Sequence, residues 1–517
     1  MNSPRLILLV LFLFQFSGDI LCEIVLPDII SDGMVLQRYQ LVPIWGKAES
    51  GQEISIDFNG QTESDVADEN GNWFIVFDPM PHSAEPLTMD IKGDETITLK
   101  NILIGEVWFC SGQSNMQWEV QQSEGGKEAI ANADFPNIRL FNVDRDVGFK
   151  KKPGKLATWQ GANPESVKKF SGVGYFFALK IHQELDVPIA MINASFGGTQ
   201  AEAWTPRYAL AAFPELQPCI DREKIWEAER PEVQKEFDKR MVKWKENVKK
   251  AKANKTKTPS RLRVPDALRP QRIAGSIYYN MVEPLVPFAI GGALWYQGES
   301  NEDRAEQYEL LLTVMIESWR EEWHRGNFPF AIVQLPNFRK QKEQPADEAW
   351  SHLRDSQLKV HKKLPNTGLI VTIDIGEAND IHPVNKLDVA DRLARWAMAE
   401  VYGKDIQGSG PLFSEVKLKK RKAIISFKEV GEGLKTTDGA ELQEFAIAGE
   451  DQQWVWAKAK IKGKNKVVVR SGKIINPKAV RYAFNNNPKN PNLTNASGLP
   501  AGPFRTDDWK GPTAGKR

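Results

Sequence analysis

The sequence predicts an α/β protein whose centre is a doubly wound, mostly parallel β-sheet in a three-layer core, flanked by β-sandwich-like domains. Three observations lead to this prediction. Between residues 101 and 403, apolar segments of strand length alternate with longer helical patterns. Residues 23–100 contain short runs of alternating polarity. The same rhythm returns in residues 404–517, so we expect a β-domain on each side of the central one.

The chain begins with the pattern of a secretory signal peptide, which we assign to residues 1–22. Arg5 precedes an apolar run at residues 6–16, which is too short to cross a bilayer. We expect cleavage near Cys22, with lipid attachment to Cys22 as a weaker alternative. No later segment is apolar enough to span a membrane, so we expect a soluble, exported protein, secreted or periplasmic.

The composition excludes several classes of partner. Lys and Arg number 68 and Asp and Glu 67, a net charge of +1, so we expect neither nucleic acid nor a membrane surface as a partner. Cys110 and Cys219 are the cysteines after residue 22, and one disulfide is the most they can form. Sixteen tryptophans suit buried cores, and in an exported protein also contacts with carbohydrate.

The N-terminal region is predicted to consist of β-hairpins. Alternating runs at residues 53–58 and 73–77 lie next to the pairs Asn59-Gly60 and Asn70-Gly71, which are typical of tight hairpin turns. In the C-terminal region, residues 423–427 and 466–470 are predicted strands.

The central domain is predicted to contain six strands and four helices. The strands are residues 102–110, 138–143, 188–194, 289–296, 328–335 and 368–374. The helices lie near residues 174–185, 304–323, 349–363 and 387–402. In such a sheet the active site lies beyond the carboxyl ends of the strands.

A helical insertion near residues 213–270 interrupts this alternation. Residues 227–257 are crowded with Lys, Arg and Glu around three large apolar side chains. A nucleic-acid-binding patch is one interpretation, but interspersed acidic residues favour a solvated helical face, formed by one helix or two.

Ser114 is the candidate nucleophile. It lies in the turn Cys110-Ser111-Gly112-Gln113-Ser114-Asn115, between the first central strand and a predicted helix. Such a turn exposes a hydroxyl beside the free N–H groups of a helix start. Ser, Gly and Asn are also ordinary turn residues, so this motif alone does not establish catalysis.

Two further strand ends carry candidate oxyanion donors. Gly197 and Gly198 follow the strand at 188–194, where glycine lets the backbone N–H groups approach a ligand closely. Gln297 and Asn301 follow the strand at 289–296, and either amide is a candidate third donor. Asn301 has a competing role as a helix cap.

His382 is the candidate general base, because it follows the last predicted strand of the sheet. The acid that orients it is either Asp380, on the same loop, or Asp374, at the end of the preceding strand. We favour Asp380 because it is nearer. A two-residue offset in extended chain separates the α-carbons by roughly 7 Å, so a turn is required.

Six motifs, in this order, resemble the SGNH hydrolase superfamily and, more closely, its sialate O-acetylesterase-like branch. They are residues 31–38 (SDGMVLQR), 112–116 (GQSNM), 197–206 (GGTQAEAWTP), 295–301 (WYQGESN), 380–383 (DIHP) and 503–507 (PFRTD). The resemblance covers nearly the whole chain after residue 22 and implies an SGNH/flavodoxin-like core. Asn379 stands where many SGNH enzymes have the acid, and 297–301 departs from their usual third motif.

This resemblance implies a serine esterase that removes O-acetyl groups from a sugar such as sialic acid. The oxyanion donors would be the N–H groups of Ser114 and Gly198 and the amide of Gln297, with Trp204 and Asn301 as substrate-binding residues. Acyl transfer of this kind needs no metal or organic cofactor, and no cluster has metal-ligand spacing. Two alternatives remain open: an acetylesterase for plant or algal polysaccharide such as acetylated xylan, and a non-catalytic carbohydrate-binding protein. The oligomeric state is not predictable.

Overall fold

The computed structural model describes residues 23–145, 147 and 157–517. The expected signal peptide and Cys22 lie outside these residues. Within the described part of the chain, no helix is long and apolar enough to cross a membrane. Cys110 and Cys219 are both buried and both free, so they are not joined by a disulfide.

Short strands form the N-terminal region, as its alternating pattern predicts. In the fifth strand, Trp73, Ile75 and Phe77 are buried and the residues between them are exposed. Alternate residues point to opposite faces of a strand, so this pattern buries one face only. The strands are β1 (Val35–Gln37), β2 (Val42–Lys47), β3 (Glu53–Phe58), β4 (Gln61–Val66), β5 (Asn72–Phe77) and β6 (Ser83–Lys92).

The central sheet is mostly parallel, with strand order β13-β12-β11-β7-β10-β8-β9. Within this order, as far as the structure describes it, β9 at one edge is the only strand antiparallel to its neighbour. Its strands are β7 (Thr96–Gly112), β8 (Phe135–Asn142), β9 (Trp159–Ala162), β10 (Ile189–Ser195), β11 (Gly292–Tyr296), β12 (Phe330–Val333) and β13 (Thr367–Ile370). The carboxyl ends of β7, β10 and β11 are direct neighbours, so the polar motifs that follow them meet at one edge.

The longest strand, β7, connects the central sheet to the N-terminal strands. It pairs with β6 antiparallel and with β1 parallel before it enters the central sheet. The boundary predicted after residue 100 falls inside this strand. The domain divisions and the three-layer arrangement stay predictions.

Helices connect the central strands. They are α1 (Ser114–Gln117), α2 (Gly126–Ala131), α3 (Pro164–Lys168), α4 (Gly172–Leu185), α5 (Arg207–Ala211), α6 (Gln217–Ala253), α7 (Gln307–Glu322), α8 (Ala349–Lys363) and α9 (Leu387–Trp396). Short 3-10 segments, Ala201–Trp204 and Glu299–Arg304 among them, lie between these helices and strands. Most of the predicted insertion is one helix, α6, which is 37 residues long and largely exposed. Two short 3-10 segments, Asp266–Leu268 and Pro270–Arg272, follow it.

The C-terminal region consists of small antiparallel sheets. The strands β14 (Leu412–Lys419), β15 (Lys422–Lys428), β19 (Lys458–Lys462) and β20 (Lys466–Arg470) form one sheet in the order β14-β15-β20-β19. The others are β16 (Leu434–Thr436), β17 (Phe445–Ala448), β18 (Trp454–Trp456), β21 (Ala479–Tyr482), β22 (Leu493–Asn495) and β23 (Phe504–Arg505). The two strands expected from sequence correspond to β15 and β20.

Candidate active site

Ser114 is the first residue of α1, and Gln113 alone separates it from the end of β7. The turn depends on Gly112, whose φ of +130° is accessible to glycine but strained for other residues. A β-carbon at this position would lie 2.2 Å from the carbonyl oxygen of Tyr296. Gly112 therefore allows β7 and β11 to approach closely while Ser114 turns toward the cavity beyond them.

His382 is the partner of Ser114, 268 residues later in the chain. Its Nε2 lies 2.9 Å from the Ser114 Oγ, a hydrogen-bond distance. The imidazole stacks on the indole of Trp118, with ring centroids 5.1 Å apart and planes 13° apart. Trp118 follows α1, so the element that carries the nucleophile also positions the base. No pattern in the sequence indicated this role for Trp118.

The structure brings Asp380, not Asp374, beside the imidazole ring. The Asp380 Oδ1 accepts a hydrogen bond from the backbone N–H of His382 at 2.8 Å and lies 3.6 Å from its Nδ1. This turn supplies the geometry that extended chain lacks. Asp374 instead forms a two-point ion pair with Arg392, each contact 2.7 Å. Asp374 is therefore engaged away from the imidazole.

Two backbone N–H groups are free to bind an oxyanion. Among the described residues, none accepts a hydrogen bond from the N–H of Ser114 or of Gly198. Gly198 has φ +70°, and its carbonyl oxygen accepts hydrogen bonds from Arg269 at 3.2 Å and Arg272 at 3.1 Å. These arginines hold the turn after β10 in place.

The amides of Gln297 and Asn301 do not face the cavity, which corrects the expectation for both residues. Both side chains are buried. The Gln297 Nε2 donates to the Thr199 carbonyl and to the Asn301 Oδ1, and the Asn301 Nδ2 donates to Glu202. Neither amide N–H group can therefore turn to a substrate without losing a buried hydrogen bond.

Two amide side chains, Gln113 and Gln200, border the cavity, and the Gln200 Nε2 donates a hydrogen bond to the Ser300 carbonyl oxygen. The Gln113 side chain is oriented differently. Its Oε1 accepts hydrogen bonds from the N–H groups of Gly298 at 3.4 Å and Ser300 at 3.2 Å. This orients its NH₂ group away from them, and no described residue accepts a hydrogen bond from it. The sequence did place this residue in the turn, directly before Ser114, but did not indicate the direction of its side chain.

Trp204 belongs to the core, which corrects its expected role in substrate binding. It is fully buried, its Nε1 donates to the Thr199 hydroxyl at 2.9 Å, and its ring packs against Trp295. The tryptophan that does line the cavity is Trp226, on helix α6. The charged pattern around Trp226 in the sequence indicated an exposed helix but not its position beside the active site.

A buried, hydrogen-bonded network supports the catalytic pair. The Asn115 side chain donates to Glu299 at 2.6 Å and to the Ile381 carbonyl at 2.9 Å. Lys386 donates to the Asn115 Oδ1 and to the Pro383 carbonyl, both at 2.7 Å. Because residues 381 and 383 flank the histidine, this network ties the histidine loop to α1.

The network also affects the protonation of the base. Burial, and then the positive charge of Lys386, lower the pKa of His382, while Asp380 opposes them. Burial lowers the pKa of Lys386 itself to about 7, with Glu299 acting in the opposite direction. Burial also raises the pKa of Glu299. The imidazole therefore stays neutral, and able to accept a proton, at a lower pH than usual.

The active-site cavity has a volume of about 820 Å³ and reaches from Ser114 and His382 to helix α6. Arg263 and Arg269 lie on its wall. Arg269 is held by Gly198 and Asp266, whereas Arg263 is exposed and has no ion-pair partner among the described residues. The wall thus offers one free guanidinium to a negatively charged ligand.

Comparisons with known proteins show what this chain is similar to. Residues 269–397 match the family model described as carbohydrate esterase, sialic acid-specific acetylesterase. The mouse sialate O-acetylesterase is 28% identical over 431 residues, 75% of this chain and 76% of the mouse chain. The human sialate O-acetylesterase is 26% identical over 436 residues, 77% of this chain and 75% of the human one.

A solved structure extends the likeness to nearly the whole chain. It is described as a novel carbohydrate acetylesterase from Xanthomonas citri, and it is 32% identical to this chain. The comparison covers 94% of this chain and 100% of the other, with a TM-score of 0.79. The shared fold therefore includes the terminal β-rich regions as well as the central sheet.

Proposed function

The chain belongs to the sialate O-acetylesterase-like family of carbohydrate esterases, and from that premise we propose that it hydrolyses O-acetyl esters of sialic acid through Ser114. The observation that carries the proposed mechanism is the 2.9 Å contact between the Ser114 Oγ and the His382 Nε2. A serine needs an adjacent base to become a nucleophile, and this contact supplies one.

The reaction proceeds in two acyl-transfer steps. The Ser114 Oγ attacks the acetyl carbonyl carbon while its proton passes to the His382 Nε2. The N–H groups of Ser114 and Gly198 stabilise the oxyanion, with the Gln113 amide as third donor. The imidazolium then protonates the sugar oxygen as the ester bond breaks, leaving acetyl-Ser114. A water molecule, deprotonated by His382, releases acetate and restores the serine.

The Asp380 carboxylate orients the histidine and stabilises the imidazolium. It already accepts the backbone N–H of His382, and its Oδ1 lies 3.6 Å from the Nδ1. A small rotation of the carboxylate brings it within hydrogen-bond distance once the ring is charged. Catalytic hydrogen bonds are often longer in unliganded enzymes than during reaction.

The free guanidinium of Arg263 favours an acidic sugar as the substrate. Sialic acid carries a carboxylate, whereas acetylated xylan backbones are neutral. Arg263 lines the cavity without an ion-pair partner among the described residues, so it is available to a carboxylate. Export from the cytoplasm is part of the same proposal and is supported by the apolar run at residues 6–16.

Two variants test the proposal separately. Ser114→Ala should lower kcat for p-nitrophenyl acetate by about 10⁴- to 10⁶-fold while the circular dichroism spectrum stays unchanged. Arg263→Gln should raise KM for O-acetyl sialic acid but not for acetylated xylooligosaccharides or p-nitrophenyl acetate. Near-normal turnover in folded Ser114→Ala would refute the mechanism. Equal effects of Arg263→Gln on acidic and neutral substrates would refute the sialate specificity alone.

A further inference from the structure

The outer face of the C-terminal sheet β14-β15-β20-β19 carries an unusual concentration of positive charge. Its inner face is apolar, with Ala423, Ile425, Phe427, Val467 and Val469 buried. The alternate residues point outward. We call six of the cations on the outer side of β15, β20 and β19 the basic face: Lys422, Lys458, Lys460, Lys462, Lys466 and Arg470.

The strand register sets like charges directly opposite each other. Lys458 pairs with Arg470, and Lys462 pairs with Lys466. In the neighbouring pair of strands, Lys419 of β14 lies opposite Lys422 of β15. Directly opposed side chains have β-carbons about 4.5–5.5 Å apart, and like charges there destabilise a sheet. The folding of the sheet therefore gives no reason for this arrangement.

Negative charges within the protein do not neutralise this surface. In the part of the chain that the structure describes, no carboxylate forms an ion pair with the basic face. Among the described residues, the one ion pair on this side of the sheet joins Glu415 to Lys417, 3.5 Å apart, and Lys417 on β14 is not part of the basic face. The whole chain has a net charge of only +1, so the excess is local and not a consequence of composition.

A groove with an aromatic side chain borders the basic face. It has a volume of about 680 Å³ and is lined by Trp456, Lys458, Lys460, Val468, Arg470 and Lys473. The Trp456 Nε1 donates to the Glu343 carbonyl oxygen at 2.8 Å, which holds the partly exposed indole in place. The groove thus combines an apolar ring surface with several cations, and indole rings suit ligands with both apolar and polar parts.

We propose that the basic face and its groove form a second, non-catalytic binding surface for a linear polysaccharide that bears carboxylate groups. The opposed cations provide successive sites for carboxylates along such a chain, and binding relieves their mutual repulsion. The indole of Trp456 contacts the face of a sugar ring. The inference uses the esterase's carbohydrate substrate but does not depend on sialate specificity or on the assigned catalytic residues.

The partner is identified as a polysaccharide for two reasons. The groove contains an aromatic ring beside its cations, whereas β15, β20 and β19, all within the described residues, carry none of the large exposed apolar side chains that insert into a membrane. Val468, the apolar residue at its centre, is only half-buried by neighbouring side chains. The active site of the same chain acts on carbohydrate, so a surface that holds an acidic polysaccharide would keep acetylated sugars near Ser114.

The test compares two triple variants that remove the same charge. Lys458→Gln, Lys460→Gln and Arg470→Gln together disrupt the basic face. Lys243→Gln, Lys245→Gln and Lys249→Gln, exposed positions on α6, form the matched control. Binding to polygalacturonate, with neutral xylan as reference, is measured by titration calorimetry at several NaCl concentrations.

The wild type and the control should bind polygalacturonate but not xylan, with affinity that falls as salt rises. The face variant should bind at least about tenfold more weakly at low salt and depend less on salt. Its turnover of p-nitrophenyl acetate should be unchanged. Its thermal midpoint should equal or exceed that of the wild type, because the pair Lys458–Arg470 no longer repels.

Several results would overturn the proposal. One is that the wild type does not bind polygalacturonate. Another is that the face variant binds polygalacturonate as tightly as the wild type does. Wild-type binding only to phosphatidylglycerol vesicles or to duplex DNA would show that the surface has another partner. If the folded wild-type protein shows no esterase activity, the proposed mechanism is refuted. The binding measurement remains valid in that case.

Discussion

Replacement of Glu202 by glutamine removes the negative charge at the centre of a buried ionic cluster beside the active site. Glu202 is 1% exposed and lies in the 3-10 segment that follows the Gly198 turn. Its carboxylate contacts Arg222 at 2.9 Å, Arg304 at 3.0 Å and the Asn301 amide at 2.9 Å. The glutamine has nearly the same shape, so the change tests charge and not packing.

The electrostatics predict a loss of about 3 kcal/mol in the free energy of unfolding at pH 7. Burial alone raises the pKa of Glu202, but Arg304 and Arg222 outweigh it and hold the value at about 2, against an ordinary 4.5. At about 1.4 kcal/mol per pKa unit, this difference corresponds to about 3 kcal/mol. Removal of one member of a buried ion pair costs about 3–5 kcal/mol, which agrees.

The sign of the pH dependence follows from the lowered pKa. The stabilisation by Glu202 is fully present above pH 4.5 and is lost as pH falls from there towards 2. The difference between wild type and Glu202→Gln should therefore shrink as pH falls below 4.5. Urea unfolding followed by tryptophan fluorescence measures it, because urea is uncharged and does not screen the ion pairs.

Asp303→Asn is the matched control, because Asp303 faces the same guanidinium from the surface. Its side chain is 73% exposed and lies 3.5 Å from Arg304. An exposed ion pair contributes less than about 1 kcal/mol. If Glu202→Gln destabilises the protein no more than Asp303→Asn, the assignment of a strongly stabilising buried cluster is wrong.

The remaining predictions concern the catalytic base and are measured by the pH dependence of kcat/KM for p-nitrophenyl acetate. Lys386→Met removes a positive charge that lowers the pKa of His382, so the acid limb of the pH profile should move to higher pH. If the acid limb does not move, Lys386 has a structural role only. Asp380→Asn removes the opposing charge, so the limb should move to lower pH, and kcat should fall about 10²-fold. Asp374→Asn, which breaks only the contact with Arg392, should leave kcat within about threefold; a larger loss than for Asp380→Asn would make Asp374 the orienting acid.

The sequence by itself was sufficient to predict the parallel strands and the place where the site forms. The second half of β7 and all of β10 and β11 are nearly continuous apolar runs, because these segments are buried on both faces of the sheet. Polar motifs follow each carboxyl end. Because the carboxyl ends of parallel strands share one edge, Ser114 and His382 could be expected to meet despite a sequence separation of 268 residues.

The direction of individual side chains was decided only by the tertiary structure. Gln297 and Asn301 lie in a motif that suits an oxyanion donor, yet both point inward, because Thr199 and Glu202 on a different segment satisfy their hydrogen bonds. Gln113 borders the cavity instead. A motif specifies which groups are present at a strand end, but the partner that each group finds depends on segments distant in the chain.

Contacts with distant segments also determine where two tryptophans and one buried lysine lie. Trp204 follows the Gly197-Gly198 turn and Trp226 lies in a charged segment, but only the fold places Trp204 against Trp295 and Trp226 on the cavity wall. Lys386 resembles a surface cation in sequence and is buried beside Asn115 in the structure. Periodicity along the chain determines which face of an element is buried, whereas burial of a single polar residue depends on long-range partners that periodicity does not encode.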